Sequence, residues 1–249
     1  MALANWLYLA SIKSKNPKKW VFDISRRPTS FALSMNLVHP YMRPLKDKTY
    51  KAILDAARGE FLLHGYKNAS MRTIARRAGV GTSNLYNYFE GKDSIFRAIV
   101  TPVRNRLFSF IAEQHSKEHV SCSRIAPFGH DMEVVEKYID LVWTCREEIW
   151  LLLYGADGSS ESGFRDALTD HITRISHEYQ KLEISYFHRT KSVSPFFIHI
   201  MAAWMVSVLG EIVTHRLDRP RIREFFREFF QFEYAGWLAL TEPTEQRRA

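Results

Sequence analysis

The stretch Ser70-Met-Arg-Thr-Ile-Ala-Arg-Arg-Ala-Gly-Val-Gly-Thr-Ser-Asn-Leu-Tyr-Asn-Tyr-Phe89 decides the fold of this chain. Ser70 is a side chain that favours the N-cap position, so it is expected to begin a helix. The small residues Ala75 and Ala78 let that helix pack closely against the next one. Gly79 can adopt the left-handed conformation that a sharp turn requires. The stretch therefore predicts a helix-turn-helix.

The second helix of this motif, beginning at Thr82 or Ser83, is expected to have a buried side and an exposed side. Leu85 and Phe89 are four residues apart, and this spacing places both on the side that packs against the core. Tyr86 and Tyr88 are two residues apart and cannot share one face, so at least one tyrosine is exposed. An exposed tyrosine beside a basic turn favours nucleic-acid binding over the alternative, a helical hairpin with a tyrosine-rich core.

Helical periodicity continues on both sides of the motif. Upstream, apolar residues from Tyr50 to Leu62 form a helical stripe that Gly65 is expected to end. Downstream, Gly91 breaks the recognition helix and a fourth helix begins at about Lys92. Further helices are predicted at Met132–Tyr154, Phe164–Phe187, Pro195–Arg216 and Pro220–Leu240, with a loop over residues 155–163. Strand-like alternation and internal repeats are absent from the sequence, so the predicted fold class is all-α.

The net charge of +8 is unevenly distributed. Residues 43–106 hold thirteen Lys/Arg against five Asp/Glu, whereas residues 107–249 hold sixteen against twenty-one. The positive charge of the N-terminal part favours binding to a polyanion, and the negative charge of the C-terminal part opposes it. We therefore expect a DNA-binding domain over residues 46–106 and a second helical domain over residues 107–249. Residues 1–42 are expected to be a weakly ordered basic arm or an artefact of an upstream start codon; a role of the arm in binding DNA is the alternative.

Several classes of function find little support in the sequence. It contains no Gly-rich phosphate loop, nucleophile elbow or His-Glu-x-x-His motif, so we expect neither an enzyme nor a cofactor. Two cysteines, Cys122 and Cys145, are too few for a disulfide framework and indicate a reducing cytoplasm. No transmembrane span is expected either. His115, His119 and Cys122 have helical spacing that could describe a metal site, but a helix end followed by a loop is the favoured interpretation.

The run from Thr73 to Phe96 resembles the DNA-binding domain of the TetR family of regulators, through an Ile-Ala…Ala-Gly-Val stretch, a Leu-Tyr-x-Tyr-Phe stretch and a lysine opening the fourth helix. The resemblance covers residues 48–100 and implies an N-terminal three-helix DNA-binding domain followed by a helical ligand-binding and dimerisation domain. It implies DNA approach by Met71 and Arg72, base reading by Thr82, Ser83, Asn84 and Asn87, and backbone contacts by Tyr86, Tyr88 and Lys92. The asparagine amides suit adenine edges, and Arg72 is the best guanine reader available.

For the C-terminal half, the resemblance raises the expectation of a small-molecule pocket and a homodimer. Large apolar residues there are candidate pocket walls, although ordinary core is the alternative for each of them. The candidate residues are Trp143, Trp150, Tyr154, Met201 and Trp204, with His171, Glu183 or His199 as polar partners. Residues 195–216 and 220–240 carry more apolar surface than one packed side needs, which favours a dimer interface over a larger monomer core.

The resulting hypothesis is a cytoplasmic transcriptional repressor that a small-molecule ligand releases from its double-stranded DNA operator. One alternative is a ligand-independent activator or architectural DNA-binding protein. The other is an enzyme whose basic domain docks nucleic acid.

Overall fold

The computed structural model describes residues 42–115, 132–187 and 191–241, and every regular element within them is helical. This confirms the predicted all-α fold class. His119, Cys122 and residues 1–41 of the predicted arm lie outside the described residues. The helices are α1 (Met42–Asn68), α2 (Met71–Arg77), α3 (Thr82–Tyr86), α4 (Lys92–Gln114), α5 (Met132–Thr144), α6 (Arg146–Trp150) with a π-helical turn (Leu151–Gly155), α7 (Phe164–Phe187), α8 (Pro195–Thr214) and α9 (Arg219–Thr241).

Helices α1 to α4 share one apolar core. Ile53, Ala57 and Phe61 of the predicted stripe on α1 are fully buried. Leu54 and Leu62 are partly buried, and Tyr50 is 40% exposed. Phe61 meets Phe96 of α4 edge-on at a centroid distance of 5.1 Å, and Tyr66 stacks on Phe61 at 5.9 Å. Leu85 inserts from α3 into the same core. The short helices α2 and α3 are therefore held against two long helices, which fixes the orientation of the exposed face of α3.

The turn between α1 and α2 forms through Gly65 and Ser70. Gly65, predicted to end the first helix, has a left-handed φ of 68°, and one further turn carries α1 to Asn68. Ser70 is the N-cap of α2 as predicted, and its Oγ accepts the Thr73 N–H at 3.3 Å. The Ser70 N–H in turn donates to Oε1 of the buried Glu60 at 3.2 Å. A carboxylate of α1 thus holds the first residue of the helix-turn-helix.

Gly79 supplies the turn of the motif with φ at 69°, as predicted. We expect Gly79→Ala to lower the free energy of unfolding by about 1–2 kcal/mol, because a side chain is strained in this conformation. Gly59 is the matched control, since it lies inside α1 with no atom within 4 Å of an added Cβ. Gly59→Ala is expected to stabilise the protein by roughly 0.5–1 kcal/mol. Urea unfolding of both variants would test the pair, and equal effects would contradict the assigned turn.

The predicted helix over residues 132–154 is interrupted. Helix α5 ends at Thr144, Cys145 adopts φ −114° and ψ 20°, and the short α6 continues into the π-helical turn. The π-helical turn packs against α1, so the interruption directs the chain toward the N-terminal helices. Residues 156–163 form turns, which agrees with the predicted loop.

The remaining helices complete the C-terminal half. Helices α7 and α8 pack extensively on each other, and α9 packs on α5. Arg223 of α9 makes a two-pronged ion pair with Glu136 of α5, with an Nη2–Oε2 distance of 2.9 Å. This pairing lowers the pKa of Glu136, chiefly because Arg223 donates hydrogen bonds to its carboxylate. Helix α8 is long and apolar enough by composition to cross a membrane, but its buried positions pack within this helical assembly.

Candidate functional site

Helix α3 presents a polar face to solvent. Thr82, Ser83, Asn84 and Asn87 are exposed, and the Asn87 Nδ2 donates to Asn84 Oδ1 at 3.3 Å. The opposite side carries Leu85, which is fully buried. The structure therefore brings together, on one exposed face, the four residues predicted to read bases. The two asparagine side chains hydrogen-bond to each other on that face.

The two tyrosines lie in different environments, as their spacing predicted. Tyr86 is 51% exposed, whereas Tyr88 is half-buried and packs against the core. At the start of α2, Arg72 is exposed and Met71 is half-buried against the same core. Within the described residues, Arg72 makes no ion pair, so its guanidinium is available to an external phosphate or base. Arg77, by contrast, pairs with Glu60 at 3.1 Å.

Lys92 has a structural role that the sequence did not predict. Its ammonium donates to the carbonyl oxygens of Lys67 at 3.1 Å and Ala69 at 3.2 Å, and lies 4.6 Å from the centre of the Tyr66 ring. Partial burial lowers the pKa of Lys92. This lysine joins the end of α1 to the start of α4, so its predicted contact with a DNA phosphate would have to share the ammonium with two carbonyl groups.

The loop after the π-helical turn ties the C-terminal half to the DNA-binding helices. The Ser160 N–H donates to Asp93 Oδ1 of α4 at 2.9 Å, and Glu161 pairs with Arg104 of α4 at 3.3 Å. Asp157 pairs with Lys67 at the end of α1 at 3.2 Å. These links connect residues 157–161 to both long helices of the N-terminal domain.

A cavity of about 320 Å³ lies among α4, α5, α7, α8 and α9, a size within the range of small-molecule sites. Its walls are almost entirely apolar. The lining residues are Leu107, Phe110, Ile111, His115, Tyr138, Leu168, Ile172, Ser176, Tyr179, Phe197, Ile198, Met201, Ala202, Met205, Val206, Leu209, Phe232, Glu233, Gly236, Trp237 and Leu240. The C-terminal half of α4 forms one wall, so the same helix borders both the cavity and the DNA-binding domain.

Of the pocket candidates, only Met201 lines this cavity. Trp143 stacks against Arg146, with Arg219 nearby, and Tyr154 rests on Gly210, whose missing side chain makes room for the ring. The other candidates also lie outside the lining of the cavity. Trp150 packs beside Gly155, His171 packs against Phe108, and Trp204 packs against Phe229. Glu183 is buried elsewhere, and His199 is hydrogen-bonded to Thr173.

The spacing of residues along α9 contained a pattern that could have pointed to the cavity. Phe226, Phe230, Glu233 and Trp237 recur at i, i+4, i+7 and i+11, which places them on one face of α9. An acidic residue on an otherwise aromatic stripe is unusual, because carboxylates are rarely buried without a partner. That pattern could have identified Glu233 as a candidate site residue.

Comparisons with known proteins agree on the class of this chain. Residues 53–99 match the family described as bacterial regulatory proteins, tetR family. An uncharacterized HTH-type transcriptional regulator of Haemophilus influenzae is 24% identical over 178 residues, which cover 71% of this chain and 81% of that protein. The HTH-type regulator YdgC of Bacillus subtilis is 33% identical over 57 residues, covering 23% of this chain and 29% of that protein.

A solved structure shares the fold. The crystal structure of NalD, the secondary repressor of the MexAB-OprM multidrug efflux pump in Pseudomonas aeruginosa, superposes with a TM-score of 0.51 at 17% identity. The match covers 75% of this chain and 96% of NalD. The helix-turn-helix on α2 and α3 and the family match lead to one conclusion: residues 53–99 form a DNA-binding domain of the TetR family of bacterial regulatory proteins.

Proposed function

We propose that this chain is a repressor that binds a DNA operator as a homodimer and leaves it when a small molecule enters the cavity. The observation that carries the DNA-binding part is the polar face of α3, which the buried Leu85 holds in a fixed orientation. Arg72 and Tyr86 flank that face and are exposed, so they are placed for contacts with bases and phosphates. NalD, which shares the fold, is itself a repressor.

The homodimer part of the proposal rests on exposed apolar side chains of α8 and α9. Phe196 is 72% exposed, Ile200 47%, Phe232 68% and Leu240 46%. These residues lie in the two segments predicted to form the dimer interface, residues 195–216 and 220–240. Large apolar groups left in water favour association with a partner. A two-fold dimer would present two copies of α3 to half-sites about one DNA turn, ~34–36 Å, apart.

The ligand-release part of the proposal rests on α4. This helix extends from Lys92, which contacts the end of α1, through Pro102 to the residues that wall the cavity. A ligand that binds more tightly to one tilt of α4 would shift the population of dimers toward that tilt. The hydrogen bonds of Lys92 with the carbonyl oxygens of Lys67 and Ala69 would carry the change to the end of α1 and the start of α2.

The experiment for DNA binding is selection from a random pool of double-stranded DNA. We expect a two-fold symmetric site with half-sites about one turn apart, at which affinity falls steeply as salt rises. Binding that depends on salt but shows no sequence preference would instead support an architectural protein. A selected operator whose affinity no small molecule alters would support a ligand-independent regulator.

We further expect the double substitution Asn84→Ala and Asn87→Ala to weaken binding to the selected operator at least about tenfold, because each amide contact with a base contributes roughly 1–3 kcal/mol of discrimination. The change is expected at particular base positions, so selection should be repeated with the variant. Asn105→Ala is the matched control, since Asn105 is an exposed asparagine on the distant half of α4. An unchanged sequence preference in the double variant would contradict the assignment of these residues.

A further inference from the structure

Arginines cluster where α8 turns into α9, in a half of the chain that is otherwise acidic. They are Arg216, Arg219, Arg221 and Arg223. Two of them are neutralised by carboxylates of α5: Arg219 Nη2 lies 2.6 Å from Asp140 Oδ1, and Arg223 pairs with Glu136. Arg216 is exposed and makes no ion pair with any residue that the structure describes. Its positive charge is therefore left without a counterion.

A second uncompensated cation, Arg146 at the start of α6, lies beside Arg216. The Arg146 Nη2 donates to the carbonyl oxygen of Leu217, the next residue after Arg216. In the described part of the chain Arg146 has no carboxylate partner, and its buried Nε has no hydrogen-bond acceptor. Burial, and then the nearby charge of Arg216, lower the pKa of Arg146. An arginine remains protonated in proteins, so two positive charges lie close together with no anion between them.

Trp143 holds this cluster in place. The Arg146 guanidinium lies 4.8 Å from the centre of the Trp143 ring, and the Arg219 guanidinium lies 5.8 Å from it. The ring is nevertheless 43% exposed. Cation–π contacts restrict the arginine side chains, so less conformational freedom is lost when a ligand binds to them.

The backbone at Arg216 is strained. Its φ is 51°, and it is the one residue other than glycine with a positive φ among those described. It follows His215, the C-cap of α8, at a position where glycine is the usual residue. Strained conformations of this kind are concentrated at ligand-binding sites. The unfavourable conformation therefore points to a role for the Arg216 side chain beyond ending the helix.

The carboxylates closest to these arginines in sequence are directed elsewhere. Glu148 pairs with Arg58 of α1 at 2.8 Å. Asp218 Oδ1 accepts the Arg221 N–H at 3.0 Å and so caps the first turn of α9. Glu147 is exposed and forms no ion pair within residues 42–115, 132–187 and 191–241. An external anion is therefore needed to neutralise the cluster.

We propose that Arg146 and Arg216 bind a diphosphate group, either free as pyrophosphate or carried by a nucleotide. A compact anion with several charges can neutralise two neighbouring guanidiniums at once, and phosphate oxygens match the paired N–H groups that each guanidinium offers. Trp143, Arg146, Arg216 and Arg219 do not line the apolar cavity and do not belong to α2 or α3. The site is therefore separate from the proposed effector cavity and from the base-reading face.

The experiment measures anion binding to the full chain by calorimetry, without DNA or divalent cations and at constant ionic strength. The probes are pyrophosphate; ADP, which carries the same group on a nucleoside; and succinate, a dicarboxylate. The variants are Arg216→Gly and Arg227→Gln. Arg227 is an exposed arginine further along α9 with no ion pair among the described residues, so its variant controls for the net charge.

We expect pyrophosphate to bind the wild-type chain at least about threefold more tightly than succinate, because its oxygens bond both guanidiniums. Arg216→Gly should lower pyrophosphate affinity at least about tenfold, since one of two charged donors is lost. The same variant should unfold at an equal or higher temperature, because glycine adopts the left-handed conformation without strain. Arg227→Gln should change pyrophosphate affinity by less than about threefold.

Tighter binding of ADP than of pyrophosphate would identify a nucleotide as the source of the group, with its base on the exposed ring of Trp143. Equal affinities would identify the free anion. The proposal is overturned if pyrophosphate does not bind, if succinate binds as tightly, or if the Arg216 and Arg227 variants lose affinity equally. It is also wrong if Arg216→Gly weakens binding to operator DNA but leaves pyrophosphate binding unchanged, since the arginines would then contact DNA.

Discussion

Replacing Phe61 with alanine is expected to lower the free energy of unfolding by about 3–5 kcal/mol, among the largest single-residue effects in this chain. Phe61 is fully buried and contacts Tyr66 and Phe96, so its removal leaves a cavity between α1 and α4. Small domains are stable by only about 5–15 kcal/mol, so the variant should lose much of its folded population. Urea unfolding followed by circular dichroism measures the change.

Leu63→Ala is the control for this prediction. Leu63 lies two residues away on α1 and is 67% exposed, so its truncation should change stability by no more than about 0.5 kcal/mol. Phe61→Ala should also lower operator affinity more than Leu63→Ala does, because α3 packs on the core that contains Phe61. Equal destabilisation by the two substitutions would show that α1 does not pack as described.

The second large effect is expected at Glu60, whose carboxylate joins α1 to the helix-turn-helix. Glu60 is 3% exposed, accepts the Ser70 N–H and pairs with Arg77. We expect Glu60→Ala to cost about 3 kcal/mol, because it removes a charged acceptor and leaves the Ser70 N–H without its partner. The expected result is a lower unfolding midpoint in urea together with weaker operator binding, as α2 loses its anchor.

Glu60→Gln separates the hydrogen bond from the charge. The amide oxygen can still accept the Ser70 N–H, whereas the ion pair with Arg77 is lost. Arg77 is 41% exposed in its side chain and can be solvated, so the glutamine variant should recover most of the lost stability. A glutamine variant as unstable as the alanine variant would locate the stabilisation in the ion pair and contradict the role assigned to Ser70.

The helix-turn-helix was predictable because its determinants are local in sequence. Ser70 caps α2 by accepting a hydrogen bond from the backbone N–H three residues further along the chain. Gly79 can adopt the conformation of the turn because it has no side chain. Leu85 and Phe89 are both buried as predicted, although α3 ends at Tyr86 and Phe89 follows it outside the helix. For the same reason the exposed face of α3, with Asn84 and Asn87, followed from the sequence.

The features that escaped prediction depend on contacts between distant segments. The apolar pattern of residues 132–154 continues through Cys145, so periodicity alone did not reveal the break that leads to the π-helical turn. The family resemblance implied that Lys92 contacts DNA. Its bonds to the end of α1 were not predicted, because they join residues more than twenty positions apart. The cavity draws its walls from five helices, and size and polarity alone did not single out Glu233 and His115 among the residues that could line it.

Helix α4 has a mechanical consequence that follows from its length. Leu107, at the cavity, and Lys92 are fifteen residues apart on one helix that contains Pro102, or about 22 Å apart at 1.5 Å per residue. If α4 moved as a rigid rod in the proposed mechanism, a rotation of about 5° at the cavity would displace Lys92 by ~2 Å. In a two-fold dimer the α4 helices of the two protomers would move in opposite directions. The distance between the two α3 helices would then change by about 4 Å, compared with a DNA repeat of ~34 Å. Under the proposed release mechanism, a small expansion of the apolar cavity would change the spacing of the two α3 helices enough to weaken their fit to DNA.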